Sequence, residues 1–297
     1  MYVRVNDCRI FFDVEGAKLV ADGSRMREKP ALVLVHGGPG HDHSMYKPDF
    51  SALADVAQLV YYDQRGHGRS DPASPATWTL AQWADDLKAL CDDLGIERPM
   101  VVGTSFGGFV AQTYASRYPE HPSALILIST ATRLDARAAA SVFAQRGGTI
   151  AMSIAARFFR EPSEEAGLEF LKICVPLFRT RSVAALAEET NRTILRTPVV
   201  THFVRPDGEY HRMDLRADLA RVTCPTLILG GEQDPITPIE LSEEIANALG
   251  SKAVRFERLP DCGHPAFKDD PNRAFGLIRE FMQSIAVDGP ASEGNEG

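Results

Sequence analysis

Five short stretches of the chain are apolar without alternation and then stop at glycine or a polar turn: ALVLVHGG from Ala31, AQLVYYD (57–63), PMVVGTS (99–105), SALILIST (123–130) and PTLILGGEQD (225–234). A run that is apolar at every position and too short for a core helix reads as a strand buried on both faces. AVRFERLP (253–260) is a weaker copy of the same type. The intervals between them carry helical periods. Residues 79–95 open with a capping box, Thr79 with Gln82, place Leu80, Trp83, Leu87 and Leu90 on one face and close at Gly95. Phe109 to Tyr118, Glu240 to Leu249 and Arg273 to Ile285 are the other core helices. Buried strands alternating with helices define an α/β class, with a mostly parallel central sheet covered by helices on both faces. The opening YVRV and RIFFDVEG, around Asn6-Asp7, alternate instead and predict a two-stranded hairpin at a sheet edge.

One interval breaks this rhythm. From Arg133 to Arg216 there is no buried strand, whereas Ile150/Ile154/Phe158 and Leu168/Leu171/Val175/Phe178 keep helical spacing, interrupted at Pro162 and Pro176. A helical insertion of that length between sheet strands predicts a cap or lid rather than a loop. The expected division is a core of 1–132 and 217–285, a helical cap of 133–216, and a disordered tail of 286–297, whose DGPASEGNEG has nothing apolar to bury.

The composition is that of a soluble globular protein. A net charge of −8 argues against nucleic acid, which needs a basic face, and no run approaches the ~18 apolar residues of a membrane span. MYVRVNDCRIFF lacks the apolar core and cleavage site of a secretion signal, so a cytoplasmic protein is expected. The five cysteines, Cys8, Cys91, Cys174, Cys224 and Cys262, form no C-x-x-C pair and read as buried thiols. The expected partner is a small-molecule substrate. A homo-oligomer is compatible with the composition.

In an open α/β sheet, ligands bind beyond the carboxyl ends of the strands, and G-T-S-F-G (103–107) lies there, between a strand and a helix. G-x-S-x-G needs glycine two residues either side of the serine because the turn packs backbone on backbone, and it presents Ser105 at the head of the next helix. The competing reading is a Gly-rich turn that cradles phosphate, but no P-loop lysine follows and the spacing is not G-x-G-x-x-G. An elbow serine needs a base and a carboxylate to orient that base, in the chain order Ser, Asp, His. ILGGEQDPITP puts Asp234, and PDCGHPAF puts His264, just past successive strands. Taken singly, Asp234 reads equally as a helix cap and His264 as a turn residue; the joint placement at three strand ends with Ser105 makes them a catalytic set. Glu232 and Asp261 flank the pair on the wrong sides of their turns, and Ser129-Thr130-Ala131 offers no substitute acid.

The tetrahedral oxyanion requires preorganised N–H donors. The amide of Phe106 is one, and HGGPG (36–40) supplies the other, Gly38 in preference to Gly37. HDH (41–43) invites a metal reading, but no further ligand spacing completes a zinc site, so neither metal nor cofactor is expected. DQRGHGRSD (63–71) reads as architecture, with Asp63 and Arg65 fixing a loop turned by Gly66 and Gly68, and no chemical role for His67.

At HGGPG, DQRGHGRS, GTSFGG, DPITP and GH, from about Ala31 to Met282, the sequence resembles the α/β-hydrolase superfamily and, within it, the proline iminopeptidase-like serine hydrolases. The resemblance implies an α/β-hydrolase fold in which Ser105 is the nucleophile, Asp234 the acid and His264 the base, with Gly38 and Phe106 in the oxyanion hole. It implies hydrolysis of an amide or peptide bond of a small substrate. Two departures stand against the iminopeptidase branch: Thr104 and Phe106 replace the usual G-G-S-W-G, and the cap has no tryptophan, Trp78 and Trp83 both preceding it. Glu161, Glu164, Glu165, Glu188 and Glu189 are acidic cap residues, which read as solvated helix surface in preference to an ammonium site for a substrate amine. The serine at the elbow disfavours the aspartate-based epoxide hydrolases and haloalkane dehalogenases. The alternatives are a carboxylesterase or lactonase, a meta-cleavage C–C hydrolase, and a non-catalytic receptor that holds a small ligand under the cap.

Overall fold

The computed structural model describes residues 1–181, 183–250 and 253–288. The opening hairpin forms as β1 (Tyr2–Val5) and β2 (Cys8–Glu15), turned by Asn6 and Asp7, both at positive φ. A second hairpin follows, β3 (Leu19–Asp22) and β4 (Arg25–Glu28), and stands apart from the main sheet. Its short strands, LVAD and RMRE, are mostly exposed and carry no alternating apolar period, which is why the sequence gives no sign of them beyond the Asp22-Gly23 turn. The apolar runs become β5 (Ala31–Val35), β6 (Gln58–Tyr62), β7 (Met100–Thr104), β8 (Ala124–Ile128), β9 (Thr226–Gly231) and β10 (Val254–Leu259). Between them run α1 (Leu80–Asp93), α2 (Phe106–Arg117), the series α3 (Ala136–Arg160), α4 (Glu164–Ile173), α5 (Val183–Arg192), α6 (Thr197–Val204) and α7 (Arg216–Leu219), then α8 (Ile239–Leu249) and finally α9 (Pro271–Asp288).

Among the described residues an eight-stranded sheet is ordered β1-β2-β6-β5-β7-β8-β9-β10. β6 to β10 pair in parallel, and β1 and β2 add an antiparallel edge, as the alternating opening segment predicts. Alternate strand residues feed two cores. Val33, Val35, Val101, Leu125 and Leu127 meet α1, α2 and α8, whereas Leu32, Leu34, Val102, Ile126 and Ile128 meet α9 and the aromatic residues Tyr46 and Phe50. At about 25 cal/mol per Å² of apolar surface, these continuous runs are what hold the chain in this topology. β5 pairs with β6 on one side and β7 on the other, so the winding reverses between β5 and β7, and the carboxyl ends of strands at such a reversal are where open α/β sheets bind their ligands.

The helices α3 and α4 share an apolar cluster of their own around Ala139, Phe143, Ala151, Phe159 and Phe170. α3 is broken at Gly148, whose φ of 71° only glycine adopts readily. Ile150, Leu168 and Leu171 keep the expected helical spacing yet stand exposed on these helices. α9 continues to Asp288, because Ala286, Val287 and Asp288 include no helix breaker, so the first residues of the expected tail are helical; positions 289–297 lie outside the described residues. No helix among the described residues is long and apolar enough to cross a membrane.

Candidate active site

The turn between β7 and α2 holds Ser105 at φ 54° and ψ −121°, a left-handed conformation that a non-glycine residue keeps only when its surroundings enforce it. The enforcement comes from packing. A Cβ on Gly103 would stand 2.6 Å from the Gly107 carbonyl oxygen, and one on Gly107 would collide with the carbonyls of Val35 and His36 at the end of β5. The Ser105 amide donates to the Ile128 carbonyl (3.0 Å), and the Thr130 hydroxyl donates to the Ser105 carbonyl (2.8 Å). The hydroxyl is thereby lifted to the rim of the sheet.

Asp234 follows β9 and is wholly buried. Its Oδ1 accepts from the amides of Ile236 and Thr237, both at 2.8 Å, and its Oδ2 accepts from the Thr237 hydroxyl at 2.9 Å. The fourth bond joins Oδ2 to His264 Nδ1 at 2.8 Å, and His264 Nε2 lies 2.9 Å from Ser105 Oγ. A carboxylate only accepts, so the proton sits on Nδ1, leaving Nε2 to accept from the serine hydroxyl. Ser105, Asp234 and His264, far apart in the chain, are thus joined in one hydrogen-bonded relay. Glu232 and Asp261 are not part of it: Glu232 pairs with Arg258, and Asp261 accepts from Gln233.

The histidine loop is held from below by the Ser129 hydroxyl, which accepts from the Ala266 amide (3.0 Å), and from above by the segment after α4. The His264 amide donates to the Phe178 carbonyl (2.6 Å), and the Phe178 ring stands edge-on to the imidazole. Buried Asp269 accepts from the amides of Gly263 (2.8 Å), Thr180 (3.1 Å) and Arg181 (3.2 Å), tying that strap to the loop. In α3, Arg146 donates to the Gln233 carbonyl and side chain and to the Arg179 carbonyl (2.7 Å). A second strap crosses the β5 loop, where the Arg196 amide donates to the Gly40 carbonyl (2.7 Å) and the Ile194 amide to Asp42 (3.0 Å). Thr237, Ser129, Thr130, Asp269 and Phe178 escape a reading of motifs because threonine, serine and phenylalanine are common everywhere. Asp269 in particular resembles an ordinary cap of the helix that follows.

The two glycines of the β5 loop differ. The Gly37 amide is taken by the Met45 sulfur (2.9 Å), whereas the Gly38 amide has no acceptor among the described residues and its surface is open. The Phe106 amide, at the first position of α2, is free of the helix ladder. A Cβ on Gly37 would be 3.2 Å from the Thr104 carbonyl, so this loop lies directly against the elbow.

Around the site the HDH and DQRG segments form a buried polar frame. His43 donates through its backbone and Nδ1 to Asp63 (3.0 and 2.6 Å). Burial raises the Asp63 pKa, but the bonds from His43 and the nearby imidazoles outweigh it and bring it to about 2. Arg65 forms a two-pronged bond with Asp86 (2.7 and 2.8 Å). Burial, reinforced by neighbouring His36, lowers His67 to about 3. Of the cap acids, Glu161 is exposed beside Arg160, Glu189 is clamped between Arg179 and Lys268, and Glu165 and Glu188 are exposed. The side chain of Glu164 is outside the described residues. The remaining cap carboxylates near the core are also engaged, as Glu209 accepts from the Leu80 amide (2.8 Å).

A model of the alpha/beta hydrolase fold family matches residues 30–271. The chain is 27% identical over 268 residues to a proline iminopeptidase of Lactobacillus helveticus, covering 86% of this chain and 90% of that one. A proline iminopeptidase of Pestalotiopsis fici is 29% identical over 249 residues, 80% of this chain and 87% of the relative. Among solved structures, a thermophilic esterase from Thermogutta terrifontis superposes with a TM-score of 0.69 at 27% identity, covering 94% of each chain.

Proposed function

Because the chain belongs to the α/β-hydrolase fold family and is a hydrolase of that kind, we propose that it works as a serine hydrolase through an acyl-enzyme, with Ser105 as nucleophile, His264 as base and Asp234 as the orienting acid. The single observation that carries this reading is the unbroken series of bonds Asp234 Oδ2 to His264 Nδ1 (2.8 Å) and His264 Nε2 to Ser105 Oγ (2.9 Å). His264 takes the hydroxyl proton as Ser105 attacks a carbonyl, and Asp234 stabilises the imidazolium. The amides of Phe106 and Gly38, both without an acceptor among the described residues, receive the oxyanion; each such donor is worth roughly a hundredfold in rate. His264 returns the proton to the leaving group, water enters, and the same base activates it to release the acid. Residues 133–216 act as a cap that excludes bulk water and limits substrate size.

The substrate is a small uncharged ester, lactone or amide. In support, Glu161 and Glu189 are bound to arginine or lysine and Glu165 and Glu188 are exposed, so none of these four cap carboxylates is the buried, unpaired anion that would hold a desolvated substrate ammonium. The second reading, release of an N-terminal residue from a short peptide, is favoured by the likeness to proline iminopeptidases over most of the chain. Rates on p-nitrophenyl esters, lactones and proline or alanine p-nitroanilides, measured in parallel with fluorophosphonate labelling of the protein and of Ser105→Ala, test both. Ester or lactone turnover without anilide turnover, with labelling lost in Ser105→Ala, is expected. Efficient anilide turnover moves the protein to the peptidase reading, and labelling that persists in Ser105→Ala removes the serine mechanism.

A further inference from the structure

Two aspartates stand before α9, and they do different things. Asp270 caps the helix, its Oδ1 accepting from the Arg273 amide at 3.1 Å. Asp269, which is buried, takes no amide of that helix. Its Oδ2 is shared between the amides of Gly263 (2.8 Å) and Thr180 (3.1 Å), and its Oδ1 accepts from the Arg181 amide (3.2 Å). One buried anion thus gathers main-chain donors from two segments remote in sequence: the residue before His264, and the strap that follows α4.

The same two segments meet elsewhere. A Cβ on Gly263 would stand 2.0 Å from the Phe178 carbonyl oxygen, so the backbones touch. That carbonyl accepts from the His264 amide (2.6 Å), and the Thr180 hydroxyl donates to the Asp261 carbonyl. The Phe178 ring packs into the cluster of α3 and α4, 6.1 Å from Phe170 and 6.4 Å from Phe143 between centroids, and also meets the imidazole edge-on at 5.6 Å. Arg179 donates to Glu189 (2.6 Å), which accepts in turn from Lys268 (3.0 Å), four residues beyond the histidine. The amides of residues 263 and 264 therefore depend on the strap or on the carboxylate that holds it. A base works only when it is kept within about half an ångström of its productive position.

We propose that Asp269 is a positioning residue for His264, and that it couples the base to the cap: the imidazole is in register with Ser105 only while residues 178–181 are seated. The inference rests on the serine hydrolase reading above. When the strap lifts, the His264 amide loses its acceptor, Asp269 keeps one amide of three, and the imidazole loses the ring that shields its edge from water. Reaction is thereby confined to the covered site. Asp269 bonds to main-chain groups of the protein, so its loss acts on the chemical step rather than on substrate binding.

The test reads kcat and KM for p-nitrophenyl butyrate together with the low-field proton resonance of His264 Nδ1–H, identified by its loss in His264→Gln. That resonance reports the bond to Asp234 in the resting protein, whether or not substrate turns over. Asp269→Ala lowers kcat by about ten- to hundredfold, the worth of hydrogen bonds to a charged group, with KM within about twofold, and the resonance broadens or moves upfield. Asp269→Asn, which keeps one acceptor oxygen, recovers part of both. Arg179→Met alters the strap and leaves the histidine loop intact, and it moves both readings in the same direction, by about three- to fivefold in kcat. A merely structural Asp269 would lower the urea midpoint and leave kcat and the resonance of the folded variants unchanged; that result overturns the proposal, as does an Arg179→Met variant with both readings intact. If Asp269→Ala does not fold, the other two variants decide. If the unmodified protein is neither labelled by a fluorophosphonate at Ser105 nor active, the serine mechanism has failed, and the resonance in the same variants still decides whether Asp269 positions the histidine.

Discussion

Thr237 shows how much of the site lies outside the hydrogen-bonded series Asp234, His264 and Ser105. Its amide and hydroxyl supply two of the four bonds to Asp234. Thr237→Val keeps the volume and the amide but withdraws a donor from a buried carboxylate. Hydrogen bonds to charged groups are worth about 1.5–3 kcal/mol, so kcat/KM should fall roughly ten- to hundredfold. Thr237→Ser should recover most of the rate; full activity in the valine variant would show that the hydroxyl does not position Asp234. Gly107 illustrates a different constraint, since any Cβ there meets two carbonyls of the β5 end. Gly107→Ala should lower stability by about 3 kcal/mol through overpacking against backbone, read as the urea midpoint at constant slope; an unchanged midpoint would mean that the elbow relaxes freely. The need for glycine at 103 and 107 is legible in the sequence because it is steric and local. The need for Thr237 is not, because it depends on where a carboxylate 30 residues before the histidine comes to rest.

The elements divide into those that carry the site and those that cover it. β7, β9 and β10 place Ser105, Asp234 and His264 at one rim, a consequence of parallel register that continuous apolar runs announce in advance. The covering helices are less legible. Their broad helical character follows from period, but the break at Gly148, the strap of Phe178 to Arg181 over the histidine loop and the strap of Ile194 to Arg196 over HGGPG follow from contacts between segments remote in sequence. The exposed hairpin β3–β4 is invisible for a related reason: with neither face in the core, nothing imposes an apolar period on it. Arg146 links α3 to both Gln233 and Arg179, so it acts as a latch between cover and site. In Arg146→Met, amides of residues 136–160 should exchange with deuterium faster, whereas those of β7 should keep their protection. Acceleration spread evenly over the sheet, or none in α3, would contradict a local latch.

For the whole molecule, the buried frame of His36, His67 and Asp63 links stability to pH. His36 and His67 are fully buried and held neutral, His67 down at about 3 against an ordinary 6.5. Between those values the unfolded chain binds protons that the fold refuses, so stability is complete above about pH 6.5 and declines as pH falls. Asp63, lowered to about 2, stays ionised across that range and loses its contribution only in stronger acid. The urea midpoint should therefore fall steadily from pH 6.5 to pH 4, and less steeply in His67→Gln; a flat profile would mean that these histidines are protonated in the fold.

The most direct measurement is of the acyl group itself. The protein is mixed with p-nitrophenyl butyrate, quenched in acid within the first turnover, digested and analysed by mass spectrometry. The mechanism requires a butyryl group on the peptide bearing Ser105, appearing with the first burst of p-nitrophenol and decaying at the turnover rate. A butyryl group confined to another residue, or undiminished turnover in Ser105→Ala, would contradict it.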